Sequence, residues 1–170
     1  MNNKPKPDEF SPFHTNYINL VGNEPILDIL EQLKESTYSF LTCIGTDKAD
    51  YAYAEGKWTL KEVLGHMIDA ERTFAYRILA FSRGQKELPG FDENAYVENA
   101  TFGSRLFKDL ATEFRQVRES NLYLFRSLSS QQLLTTGIAN GNKISVRALL
   151  YITAGHELHH LNIIKEKYLS

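Results

Sequence analysis

The sequence predicts an all-α protein, a four-helix bundle with one long crossover. Three observations carry this. Apolar residues recur at helical spacing in four long stretches, and Gly, Pro and Asn punctuate the joins. The join between the second and third stretches is longer than antiparallel neighbours need. At 170 residues the chain can close one core of its own, and 42% apolar with 24% charged residues is the make-up of a soluble globular domain. The net charge of −2 gives no electrostatic reason to expect nucleic acid or an anionic membrane as partner.

Residues 1–22, with three prolines and the aromatics Phe10, Phe13 and Tyr17, read as an arm that packs on the domain behind a frayed tip. Residues 23–170 read as the bundle. The first helix is expected over about 24–43, on a stripe that includes Ile26, Ile29, Leu30, Leu33 and Leu41. The second has the clearest start: in WTLKEV, Thr59 at the N-cap and Glu62 three residues on form a capping box, with Trp58 and Val63 at staple spacing. It runs to about Ser82, and Gly84 ends it.

Residues 85–102 read as irregular, with a turn at Pro89-Gly90. The third helix is expected over about 104–127, with Leu106, Leu110, Phe114, Val117, Asn121, Leu124 and Phe125 on or near one face. After a short turn at 129–134, Asn140-Gly141 is a tight-turn dipeptide suited to a small hairpin within 137–145. Ser145 caps the fourth helix, about 146–168, whose apolar stripe is Val146, Leu149, Leu150, Thr153, His156, His160, Ile163 and Ile164.

Within AGHELHHLNII (154–164), His156, Glu157 and His160 spell the H-E-x-x-H of zinc peptidases. Those enzymes draw a third ligand from further along the chain. In one class it is a His six residues on, with a Gly midway; those positions hold Glu166 and Ile163 here. In the other it is a Glu on a later helix, and only ten residues follow His160. Glu166 is rotated about 120° away on the same helix. The peptidase reading fails on these points.

Residues four apart on a helix share a face, so His156 and His160 can hold one ion at bonds of about 2.0–2.1 Å. Two ligands hold a metal poorly, and a third must come from elsewhere. His14 lies in the arm; His66 lies at the edge of the second helix's stripe and can face the interior. A three-histidine site of His66, His156 and His160 is therefore geometrically open, against the plainer reading of histidines that merely pack. Glu157 reads as an exposed helix glutamate, the alternative being reach to a neighbouring imidazole or a bound water. His159, about 100° round from His160, reads as facing solvent. Asp69 is placed to orient an imidazole or pair with Arg72 or Arg77, and the charges of DAER (69–72) read as a solvated face.

Three segments, YAEGKWTLKEVLGHMIDAERTFAYRILAFSRG (53–84), LPGFDENAYV (88–97) and ISVRALLYITAGHELHHLNIIKEKYL (144–169), together resemble the DinB/YfiT-like superfamily, and its YfiT-like branch in particular. The resemblance covers nearly the whole chain. It implies an up-down-down-up bundle with the crossover between the second and third helices. It also implies a divalent ion (zinc, nickel or iron) on His66 in GHMIDAE and on His156 and His160 in GHELHH. Homodimers are common in the family. Its members include S-transferases that use low-molecular-weight thiols and hydrolase-like proteins acting on small molecules. Two readings stay open: a metal-dependent transferase or hydrolase, and a non-catalytic metal-binding or stress-related protein of the same fold. No catalytic residue beyond the ligands is assigned.

Cys43 is the single cysteine, which excludes an internal disulfide and leaves His and carboxylates as ligands for any metal. No apolar run approaches the roughly 18–20 residues that cross a bilayer. The polar opening MNNKPKPDEF lacks the apolar core of a signal peptide, so a cytoplasmic location is expected.

Overall fold

The computed structural model describes residues 4–170. Two 3₁₀ turns lead into α1 (Thr15–Leu20). The bundle is made by α2 (Ile26–Thr42), α3 (Leu60–Ser82), α5 (Phe107–Arg126) and α7 (Val146–Ile163), the last continued by a π-helical turn over Ile164–Tyr168. Between them lie β1 (Glu87–Leu88), α4 (Glu93–Asn99), α6 (Ser130–Leu133), β2 (Thr136–Ala139) and β3 (Asn142–Ser145). The tip of the expected arm, residues 1–3, lies outside the described residues. Among the described residues no helix is long and apolar enough to cross a membrane.

Side-chain pairings give the direction of each helix. Glu31 meets Arg126 and Glu35 meets Arg115, so α2 and α5 are antiparallel. Phe102, just ahead of α5, lies on Gly65, Glu113 binds Arg72, and Gln132, just past α5, reaches the Ser82 carbonyl; α3 and α5 are parallel. Tyr168 donates to the Trp58 carbonyl while His156 packs on Phe74, so α3 and α7 are antiparallel. The order is up-down-down-up, and the crossover is the segment that lets α3 and α5 run side by side in one direction.

Local chemistry accounts for the ends. The Thr59 hydroxyl accepts from the Glu62 N–H at 3.3 Å, and the Glu62 carboxylate accepts from the Thr59 N–H at 2.7 Å. Ser145 accepts from the Ala148 N–H at 2.9 Å and starts α7. Asn140 (φ 51°) and Gly141 (φ 72°) take the left-handed conformation that a two-residue hairpin demands. β2 pairs antiparallel with β3 and parallel with β1, which ties the crossover to the hairpin.

The expectation of an irregular 85–102 needs correction. That segment holds β1 and α4, because Leu88 can pair with the later hairpin and Asp92 caps a two-turn helix by accepting from Asn94 and Ala95. α5 begins at Phe107, so Leu106 is its N-cap, outside the helix, and is 69% exposed rather than on the core face. The expected turn at 129–134 contains α6, started by a Ser129–Gln132 capping box.

The interior is two apolar clusters divided by a polar layer. One cluster takes Leu30 of α2, Phe74 of α3, Phe125 of α5 and Leu150 of α7; the other takes Leu41, Leu64, Phe114 and Ile164. Thr37, Glu71, Arg118 and Glu157 lie between them on the same four helices, all buried. Arg118 binds both Glu71 oxygens and one Glu157 oxygen, each at 2.8 Å. Thr37 donates to Glu157 at 2.5 Å and Asn121 to Glu71 at 3.0 Å. The shared guanidinium and these hydrogen bonds are what make charges tolerable at this depth. On the outer side of α7, a Cβ added at Gly155 would come within 2.0 Å of the Tyr17 carbonyl oxygen, so glycine is what lets α1 lie flat on the helix.

Candidate metal centre

His66 projects from the second turn of α3, and His156 and His160 from the second half of α7. All three are buried. His156 Nε2 lies 3.0 Å from His66 Nε2 and 3.1 Å from His160 Nε2, and one nitrogen from each of the three rings falls within 4.8 Å of the others.

Hydrogen bonding alone does not explain this approach. One imidazole nitrogen has either one hydrogen or one lone pair in the ring plane, so His156 Nε2 can serve one of its two neighbours well, not both. A shared cation satisfies all three lone pairs at once. Two nitrogens bonded to one ion at about 2.0–2.1 Å, with an angle of about 90–110° between the bonds, are about 2.8–3.4 Å apart. The observed spacings fall in that range, so the donor set fits a divalent ion.

The electrostatics agree. Burial pushes the His66 pKa down to about 4, with the Glu93 charge acting the other way and His159 adding to the fall. Burial and then His66 and His159 take His160 down to about 3. His156 is held well below the ordinary range by burial and by both partners. Neutral imidazoles with free lone pairs are the form that binds metal.

Aromatic rings fix the imidazoles. Trp58 lies 4.9 Å from His66 centre to centre, Phe74 sets its edge on His156 at 5.5 Å, and Tyr17 of α1 contacts His156 at 5.7 Å. In front of the nitrogens opens a cleft of about 340 Å³, walled by both apolar and polar side chains of the arm, α3, the crossover, the hairpin and α7.

The structure corrects several expectations around the histidines. Glu157 is not exposed; it turns into the bundle to Thr37 and Arg118. It is thus unavailable as the general base its motif position supplies in zinc peptidases. Glu71, read as part of a solvated face, is buried on Arg118 in the same layer. His159 is half-buried rather than facing solvent, because α1 covers that side of α7 and Tyr17 sets its ring 5.4 Å away. Asp69 orients no imidazole and pairs with neither arginine among the described residues: Arg72 binds Glu113 and Arg77 donates to the Pro89 carbonyl. Burial raises the Asp69 carboxyl.

Trp58, Tyr17, His14 and Arg77 line the cleft without having been singled out as site residues. They come from separate segments, and only Arg77 carried a usable signal: eleven residues past His66, it returns to within about 20° of the same helix face.

Comparisons with known proteins give the family and the fold. A family model described as the DinB superfamily matches residues 29–164. Among solved structures, YfiT from Bacillus subtilis aligns with a TM-score of 0.69 at 19% identity, over 97% of this chain and 91% of its own. That protein is described as a probable metal-dependent hydrolase with an unusual four-helix bundle topology. A DinB-like protein of the same organism, YjoA, aligns with a TM-score of 0.59 at 22% identity, over 82% of this chain and 86% of its own. At these identities the two share the fold. No curated protein matches the chain significantly.

Proposed function

The chain belongs to the DinB superfamily, and from that premise we propose that it is a metal-dependent enzyme, a hydrolase or thiol S-transferase acting on a small molecule. His66, His156 and His160 would hold one divalent ion; zinc, nickel and iron all suit an imidazole set. When bound, such an ion acts as a Lewis acid that makes a nucleophile of water or a thiol near neutral pH.

The observation that carries the reading is the convergence of three neutral imidazoles at the floor of a cleft. The rest is supplied by the chain. Tyr17, Trp58 and Phe74 hold the rings in place beside the cleft. The neighbour's description as a probable metal-dependent hydrolase supports the hydrolytic form. A thiol nucleophile is compatible with the same floor, thiolate being a good ligand for each of these ions.

The test is elemental analysis of protein purified without a histidine tag. About one equivalent of a divalent metal is expected, and His66→Ala and His156→Ala are expected to lose it. Turnover on a panel of esters, amides and thiol–electrophile pairs should vanish with chelator and return with metal. Failure to take up any divalent ion would overturn the reading; metal uptake with inertness across the panel would favour a metal-binding protein without catalysis.

A further inference from the structure

The cleft has a second polar end. Arg77 stands three turns beyond His66 on the same face of α3, about 16 Å along the axis. It is 9% exposed, and its side chain lines the cleft.

What sets Arg77 apart is the lack of a counter-charge. The other buried cations are matched: Arg118 by Glu71 and Glu157, Lys34 by Glu31 and Glu119. Arg147, half-buried, has Glu9. Arg77 has no carboxylate within ion-pair distance among the described residues. One of its five N–H donors reaches the Pro89 carbonyl at 3.3 Å, and the guanidinium lies 5.8 Å from the Phe91 ring centre. An enclosed cation without a partner costs free energy that an arriving anion recovers.

The surroundings decide which anion. His14, beside Arg77, is kept neutral by burial and by the Arg77 charge. Asn140 and Asn142 of the hairpin add uncharged polar groups to the wall. The cleft's one carboxylate, Glu93, acts on Tyr17 and His66, at the histidine end. The planar fork of a guanidinium matches a carboxylate or a phosphate, and a single one with no second cation beside it matches the singly charged carboxylate better.

We infer that Arg77 is the anion-recognising end of the substrate cleft, and that the substrate is a small organic carboxylate held with its acid group on Arg77 and its reacting group at the three histidines. The acid half of this stands without a metal; the reacting-group half rests on the metal-dependent reading above.

The two halves are tested separately. For the first, phenylacetate, phenylacetamide and phenylphosphonate are titrated into metal-free protein by calorimetry. Phenylacetate should bind at least tenfold more tightly than the amide, and Arg77→Gln should abolish that preference while leaving the amide's affinity unchanged. Acid and amide binding alike, phosphonate binding more tightly than the carboxylate, or Arg77→Gln weakening acid and amide equally would each overturn the assignment. Should Arg77→Gln not fold, the wild-type protein still decides: phenylacetate must shift the Arg77 Nε–H resonance, and an unmoved resonance refutes contact.

For the second half, ω-mercaptoalkanoates of increasing length and the matching mercaptoalcohols are titrated into zinc-loaded protein. The carboxylate advantage should peak at one chain length and vanish in Arg77→Gln. An advantage that is absent or independent of length overturns the bridging pose. Should zinc not load, nickel- or iron(II)-loaded protein takes its place; failure of every one of these ions to load would refute the metal reading and with it the reacting-group half, leaving the result with phenylacetate to stand by itself.

Discussion

Arg118→Met is a severe test of the polar layer. The arginine is fully buried, and so, nearly, are the two carboxylates it joins through contacts of 2.8 Å. Methionine fills much of the space and removes the charge, leaving Glu71 and Glu157 facing each other in the interior. Thr37 and Asn121 still donate to them, but hydrogen bonds do not neutralise two negative charges. Breaking a buried pair by removing one partner costs about 3–5 kcal/mol. At about 2–4 °C per kcal/mol for a chain of this size, the midpoint should fall by roughly 10 °C. The assay is thermal and urea unfolding of metal-free protein, the first for the midpoint and the second for the free energy, so that ligand linkage does not contribute. Adding Glu71→Gln and Glu157→Gln to the methionine variant should restore at least half of the loss, since the uncompensated charge is then gone. A loss below about 1 kcal/mol in the single variant, or a triple variant less stable than the single, would refute this account.

Three further outcomes follow from packing, caps and charge. Gly155→Ala drives a Cβ into the Tyr17 carbonyl; it should cost about 1–3 kcal/mol in thermal unfolding and loosen Tyr17 from His156, seen as a change in tyrosine fluorescence. Thr59→Ala should cost about 1 kcal/mol, read by urea unfolding, through loss of the α3 cap. Burial pushes the Glu9 carboxyl up, but Arg147, the Lys6 N–H and the Ser145 hydroxyl outweigh it and hold its pKa below the ordinary 4.5. A lowered folded value means stability that is full above the unfolded pKa and lost as pH falls through the folded one. The melting-temperature gap between wild type and Glu9→Gln should therefore be flat above about pH 5.5 and close on further acidification.

The bundle was legible because its signals are local. Thr59 and Glu62 are three residues apart, Asn140 and Gly141 adjacent, and His156 and His160 one turn apart. His66 was harder: its partner lies 90 residues away, and spacing left it open until the family resemblance pointed to it. Glu71, Arg118 and Glu157 were misread or passed over for a related reason. A charged residue is taken as solvated unless a partner is in view, and these partners are on different helices. A signal did exist. Arg118 falls in phase with Phe114, Leu122 and Phe125, Glu71 with Leu64, Phe74 and Ile78, and Glu157 with Thr153 and His160. Two acidic residues and one basic one, each in the phase of an apolar stripe, point to a buried ion cluster. α4 was missed because seven residues leave little room for periodicity.

The parallel pairing of β1 with β2 has a kinetic consequence. β1 is two residues long, and its strand partner is made about 50 residues later. It has nothing to zip onto until α5 has folded back and the hairpin has formed, so this closure belongs late on the folding route. So short a ladder should also be among the first to fray, and amide exchange at Leu88 and Asn140 should outpace that of the long helices. Each such opening would swing Pro89 and Phe91 outward and widen the way in for solutes from the Arg77 side.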